Sequence, residues 1–151
     1  MRTITINKKA LHDFEIIDRF EVGIRLQGPE VKSIKNGHID LKGSYAQFSK
    51  EGTLNLIHAY VAPYAKANSL AYTIEPLRER PLLMHRKEII RLEGRLKQTG
   101  TTLIPLGVYS KQGIIKIELG LCRGKKIFDK RNAIKRRELD RKIRHVLRNT
   151  Q

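Results

Sequence analysis

Positive charge in this chain is concentrated at one end. Residues 123–151 hold twelve Lys or Arg against three acids, a net charge of about +9 out of a formal +16. Charge at that density repels itself and leaves too little apolar surface to offset the entropy of ordering, so the segment cannot form a self-sufficient core. The chain therefore divides into a domain over residues 1–122 and a basic tail over residues 123–151, and the tail needs a polyanionic partner. Within it, Leu139, Ile143, Val146 and Leu147 recur at helical spacing and cover about 100° of a helical wheel. A stripe that narrow does not hold so charged a helix together alone. The expectation is a tail that becomes helical on a surface whose phosphates neutralise it.

The body is basic as well, with about +7 over its 122 residues, and the whole chain has a pI near 10.3. Nucleic acid is the first partner this implies, an anionic membrane the second. No apolar run approaches the roughly 20 residues that span a bilayer, and residues 1–9 lack the apolar block of a signal peptide. The single cysteine, Cys122, cannot form an internal disulfide, which fits a reducing cytoplasm.

Short strands dominate the body. Val22, Ile24 and Leu26 alternate with polar residues from Glu21 to Gln27, and Phe14–Asp18 reads as a separate strand with Arg19-Phe20 at or near a turn. Ser44–Phe48 and Leu54–Val61 form a hairpin around Lys50-Glu51-Gly52, and Leu103–Tyr109 and Ile114–Leu121 another around Ser110–Gly113. A helix is expected over Pro29–Asn36, between Gly28 and Gly37. A longer helix is expected over about Leu82–Gln98, its Leu and Ile residues facing the sheet. Gly94 weakens that helix by about 1 kcal/mol relative to Ala. Together these elements predict a mainly β fold: a small antiparallel barrel of the oligonucleotide-binding kind, with two or three helices.

Catalysis finds little support. The five histidines are scattered, no metal-ligand spacing or nucleophile elbow occurs, and His12-Asp13 would point to opposite faces of a strand. Neither a cofactor nor a metal is expected. The polar face is more informative. Glu21 and Arg25 share the outer side of one strand and Lys116 occupies another. A carboxylate in a basic surface can accept from a guanine edge or a ribose hydroxyl where a phosphate would be repelled. After the last strand, Arg123-Gly124-Lys125-Lys126 offers point charges for phosphates, and Phe128 offers a face for stacking.

Six segments follow one another in a recognisable order. They are Asn7-Lys8-Lys9-Ala10-x-His12-Asp13, Phe20-Glu21-x-Gly23-Ile24-x-Leu26-x-Gly28, Glu30-Val31-Lys32-Ser33, Leu82-Leu83-Met84-His85-x-x-Glu88-Ile89, Gly124-Lys125-Lys126 and Asp129-Lys130-Arg131. In this order and spacing, from about Ile6 to the end, the chain resembles the SmpB family of SsrA-binding proteins. The resemblance implies a small barrel without enzymatic activity that binds the tRNA-like domain of transfer-messenger RNA. It also implies delivery of that RNA, with elongation factor Tu an indirect partner, to stalled ribosomes for trans-translation. By position, Asn7, Glu21, Leu83, Lys116, Arg123, Lys125 and Lys126 correspond to the family's RNA-contacting residues. Phe128, Asp129, Lys130, Arg131, Lys135, Arg137, Val146 and Leu147 correspond to the tail that enters the decoding centre and the empty mRNA channel of the small subunit. Phe128 stands where many members carry His or Tyr, and Leu139 where some carry Trp. From composition alone, a ribosomal protein or general RNA chaperone with a barrel and a basic arm is the rival reading, and a small basic nuclease a weaker one.

Overall fold

The computed structural model describes residues 1–64, 74–98, 100–124, 139 and 141–144. In chain order the elements of the body are β1 (Arg2–Ile6), α1 (Lys8–Asp13), β2 (Phe14–Ile24), α2 (Gly28–Lys35), β3 (Ile39–Asp40), β4 (Tyr45–Phe48), β5 (Leu54–Ile57), β6 (Tyr60–Val61), β7 (Arg80–Leu83), α3 (Arg86–Leu96), β8 (Thr101–Lys111) and β9 (Ile114–Gly124).

The pairings run in a circuit. β8 pairs with β9 from Thr101↔Arg123 to Lys111↔Ile114, β9 with β2, β2 with β7, β7 with β5 and β5 with β4. The bridge Ala46↔Leu103 between β4 and β8 closes it. All pairings are antiparallel, so the six strands make the expected barrel, and β1 adds to the other half of β8. β3 and β6 form a separate two-stranded ribbon. Two turns set the long hairpins. Gln112 and Gly113 both have positive φ, 53° and 78°, which matches the right-handed twist of β8 and β9. Gly52, φ 85°, turns β4 into β5.

Inward-facing Val22, Leu56, Leu103, Ile117, Leu119 and Leu121 fill the barrel, and Ile34 of α2 and Leu92 of α3 join the same cluster. A second, smaller cluster lies on the opposite side of the sheet, where Ala10 of α1 covers Ile104, Leu106 and Cys122. Strands β8 and β9 are therefore apolar on both faces over part of their length.

Several expected boundaries move. Phe14–Ile24 is one continuous strand, because an irregularity at Ile17 absorbs the break in alternation and Arg19-Phe20 stay in the ladder. Leu82 and Leu83 belong to β7, and the helix starts only at Arg86. Its apolar stripe is narrower than expected, since Leu92 alone is fully buried and Ile90 is exposed. Arg91 and Arg95 tie α3 to Asp18 on β2 instead. The strand expected over Leu54–Val61 breaks at His58, whose φ is 61°. Residues 8–13 are helical, so His12 and Asp13 do meet, Nδ1 to Oδ1 at 3.1 Å, on the exposed surface. β9 runs on through Arg123 and Gly124, so Arg123 belongs to the strand rather than to the tail.

One polar cluster is centred on two buried charges, with the partly exposed Arg78 at its edge. Arg80 is 0% exposed and Glu30 3%. Arg80 Nε donates to Glu30 Oε2 at 2.6 Å, and Arg78 Nη2 to Oε1 at 2.5 Å. The Gln27 backbone N–H donates to Oε1 at 3.0 Å. The remaining Arg80 nitrogens donate to the carbonyl oxygens of Ala59, Arg78 and Pro76. Burial by itself would raise the Glu30 pKa, but the hydrogen bonds from Arg78, Gln27 and Arg80 prevail and hold it below its ordinary 4.5.

Two glycines should respond oppositely to Ala. At Gly120 a Cβ would lie 2.7 Å from Leu106 Cδ1, whereas at Gly94, within α3, it would meet nothing within 4 Å. Gly120→Ala should destabilise by about 1–3 kcal/mol and Gly94→Ala should stabilise by about 0.5–1 kcal/mol, both read from urea midpoints. A carboxyl with a depressed folded pKa contributes stability above its unfolded pKa and loses it as pH falls through the folded value. Glu30→Gln should therefore cost about 3–5 kcal/mol at pH 7, with the gap to wild type narrowing as urea curves are repeated below pH 4.5. A gap independent of pH would contradict the pairing.

Candidate nucleic-acid interface

Three strands place the expected RNA-side residues in one row. Gly23 on β2 pairs with Leu83 on β7 and, on its other side, with Lys116 on β9. Antiparallel pairing puts paired residues on the same face, so Leu83, Gly23 and Lys116 lie side by side on the outside of the barrel. Glu21 stands two residues along the same face, opposite Glu118. Gly23 has no side chain and Leu83 lies against it, so that a Cβ there would come within 3.3 Å of Leu83 Cβ. An open cleft of about 550 Å³ runs along the row, with Glu21, Leu83, Met84, His85, Ile114 and Lys116 among its walls. Leu83 is 50% exposed, a large apolar side chain on a charged surface.

The electrostatics of the face are mixed. Glu21 lies 3.7 Å from Lys111 Nζ, and its side chain remains 44% exposed. Arg19 Nη1 donates to Glu118 at 2.7 Å. Burial, a hydrogen bond to Glu21 and the charges of Glu21 and Glu118 push the Tyr109 hydroxyl up to about 12. The surface thus presents carboxylate acceptors and a phenol protonated at neutral pH, framed by Lys111, Lys116 and Arg19.

Not every expected residue joins this cleft. Asn7 is buried: Oδ1 accepts from the Ala10 N–H as the cap of α1, while Nδ2 donates to Pro105 O at 2.9 Å and Leu41 O at 3.4 Å. Both of its side-chain donors are used internally, so it organises the junction of α1 with β8, away from the cleft beside Glu21. Arg25 lies beyond the end of β2 and outside the cleft lining; its N–H donates to Pro81 O and its carbonyl accepts from Arg78. Arg123 is seven residues from Lys116 on β9, roughly 23 Å at strand rise, and faces Glu15 and Thr101. Lys125, Lys126, Phe128, Asp129, Lys130, Arg131, Lys135, Arg137, Val146 and Leu147 lie outside the described residues. Leu139 and residues 141–144 are described and helical, with Leu139 58% and Ile143 49% exposed. Among the described residues no group of three or more His, Cys, Asp or Glu could hold a metal, and no helix is long and apolar enough to cross a membrane.

Sequence reasoning missed Tyr109, Lys111 and the close approach of Leu83 to Gly23. The signal was present in part: a two-residue turn at Gln112-Gly113 fixes the register that pairs Tyr109 with Lys116.

The family model for the SmpB protein matches residues 4–149. The chain belongs to the SmpB family. It is 46% identical over 148 residues to the SsrA-binding protein of Enterococcus faecalis, covering 98% of this chain and 94% of that one. With the SsrA-binding protein of Geobacillus kaustophilus it shares 46% identity over 150 residues, covering 99% and 95%. Among solved structures it resembles a chain from "tmRNA-SmpB: a journey to the center of the bacterial ribosome", with a TM-score of 0.67 and 44% identity over 82% of this chain and 85% of that one. The SmpB relationship thus spans both the barrel and the tail.

The phenol of Tyr109 reports on Glu21. Carbon-13 ring shifts should show Tyr109 still protonated at pH 11 in the wild type. In Glu21→Gln its pKa should fall, because a nearby negative charge opposes phenolate formation, yet remain above 10.0, because burial is the larger cause. An unchanged titration would separate the two side chains.

Proposed function

We propose that this chain is an RNA-binding adaptor that grips the tRNA-like domain of transfer-messenger RNA and brings it to stalled ribosomes for trans-translation. The observation that carries the site is the Leu83–Gly23–Lys116 row beside Glu21, where three positions expected from the family's motifs converge on one face. In this reading Lys116 and Lys111 neutralise phosphates, Glu21 accepts from a base edge or a ribose hydroxyl, and Leu83 packs on sugar or base. Arg123, Lys125 and Lys126 extend the basic surface toward the tail.

The tail acts on the ribosome. Its residues from about Lys126, including Phe128, Asp129, Lys130, Arg131, Lys135, Arg137, Val146 and Leu147, probe the decoding centre and fill the mRNA channel only where no message occupies it. Exposed Leu139 and Ile143 support this reading, because apolar side chains on a charged helix call for a surface to cover them. The mechanism is steric selection with phosphate neutralisation, and the protein catalyses no reaction itself.

Gel-shift titration with the isolated tRNA-like domain tests the body. Leu83→Glu changes a half-exposed position and places a second carboxylate in the cleft; it should weaken binding by about tenfold or more, equivalent to at least 1.4 kcal/mol. Wild-type affinity would remove the cleft from the interface. With about six phosphates neutralised, affinity should fall about a thousandfold between 50 and 200 mM salt. Deleting the residues after Asp129 should leave that binding within a few-fold and abolish peptide tagging on stalled ribosomes. A protein that bound arbitrary structured RNA equally well in competition would instead be a general chaperone.

A further inference from the structure

Glu21 is a wall shared by two clefts. Beyond it, away from Leu83, a groove of about 480 Å³ opens over Gly107. Gly107 pairs with Ile6 of β1 on one side and Glu118 of β9 on the other, and Glu118 in turn pairs with Glu21. The missing side chain leaves a notch in the sheet surface, and the Thr5 carbonyl closes in so far that a Cβ would lie 3.2 Å from it. Exposed Ile6 and Leu11 provide an apolar wall. Across the notch stand Glu21 and Arg19, the guanidinium of Arg19 held in place by Glu118.

These walls select by chemistry. Two carboxylates on the rim repel a bare phosphate, while the apolar wall and the fixed guanidinium plane suit a flat aromatic ring. The groove is of ordinary size for a small ligand, and it is continuous, through Glu21, with the cleft that faces RNA. We propose that the Gly107 groove takes one unstacked guanine of the bound RNA, with Ile6 and Leu11 against one face of the ring, Arg19 against the other, and Glu21 accepting from its Watson–Crick edge. Guanine fits a carboxylate best because its N1–H and N2–H donate side by side; adenine and cytosine offer an amino group alone, and uracil a single imide N–H. The inference rests on the RNA-binding reading above and adds a base-specific pocket to it.

The test uses the full-length protein labelled with nitrogen-15 and titrated with guanosine monophosphate, uridine monophosphate and inorganic phosphate. The guanosine nucleotide should shift the amide resonances of Thr5, Ile6, Gly107 and Tyr109, with the uridine nucleotide about tenfold weaker or more and phosphate without effect there. Equal shifts from all three, or shifts confined to Gly23 and Lys116, would overturn the pocket. In parallel, Ile6→Ala with Leu11→Ala, both at exposed positions, should weaken binding of the tRNA-like domain about 5- to 20-fold with the amide spectrum otherwise intact. Unchanged affinity in that variant beside a loss in Leu83→Glu would sink the guanine pocket and leave the adaptor reading standing. No loss in either would sink both.

Discussion

The carboxylate of Glu30 fixes the corner from which α2 and β7, the strand that carries Leu83, diverge. It receives a backbone N–H from Gln27 at the start of α2 and guanidinium donors from Arg78 and Arg80 just before and at the start of β7. Arg80 then spends its other N–H groups on carbonyl oxygens of Ala59, Pro76 and Arg78, so no buried side-chain donor or acceptor among the described residues is left unpartnered. A buried ion pair adds little net stability over a well-packed apolar pair, because desolvation cancels most of the attraction. Its effect here is on register. Leu83 lies three residues beyond Arg80, and a slip of β7 by one residue would turn Leu83 inward and Leu82 outward. With Arg80 pinned at every nitrogen, the slip is closed off and Leu83 stays beside Gly23.

Net charge draws the protein to any polyanion, so selectivity has to come from where the surface departs from basic. Glu21 and Glu118 stand directly opposite each other on adjacent strands, an arrangement that costs on the order of 0.2–1 kcal/mol. Lys111 and Arg19 offset that cost without covering the carboxylates. Two exposed acceptors inside a ring of bases favour a partner that alternates phosphates with hydrogen-bond donors, which folded RNA does and a uniform duplex backbone does not. The same pair makes the groove over Gly107 unfavourable for phosphate alone.

Much of the architecture was legible because local rules agreed with the final structure. Alternation along Ile114–Leu121 and the turn signal over Ser110–Gly113 predict the β8–β9 hairpin, which closes more tightly, at Gln112-Gly113 with Ser110 and Lys111 still in the ladder, and Pro29 with Gly37 brackets α2. Legibility failed where tertiary structure overrode the local pattern. The irregularity at Ile17 shifts the phase of β2, so one strand reads as two. Leu82 and Leu83 fit the helical wheel of the segment that follows, yet cross-strand partners hold them extended. The burial of Arg80 depends on partners no local pattern contains, Glu30 from a distant helix and the carbonyl oxygens of Ala59, Pro76 and Arg78. Asn7 shows the limit of a motif: its position is family-specific, but its side chain caps α1 and bridges to Pro105. The motifs identified the family because they recur at internal positions such as Asn7 and at exposed positions such as Leu83 alike, and they do not distinguish the two.

The body and the tail also differ in what binding requires of them. The cleft is built on strands already held by ladders, so a ligand docking on it, RNA in the proposed function, would cost little ordering entropy. A segment that folds on contact loses that entropy at the moment of binding, which makes its engagement conditional on a surface of the right shape. Lys116 and Arg123 are separated by roughly 23 Å along β9, nearly three Debye lengths at physiological salt, taking each as about 8 Å. Charges beyond Arg123 are therefore screened from the cleft unless the chain folds back on it. In the proposed adaptor that separation lets the barrel hold its RNA with the same strength whether or not the tail has found a vacant channel, so the ribosome's state is read by the tail alone.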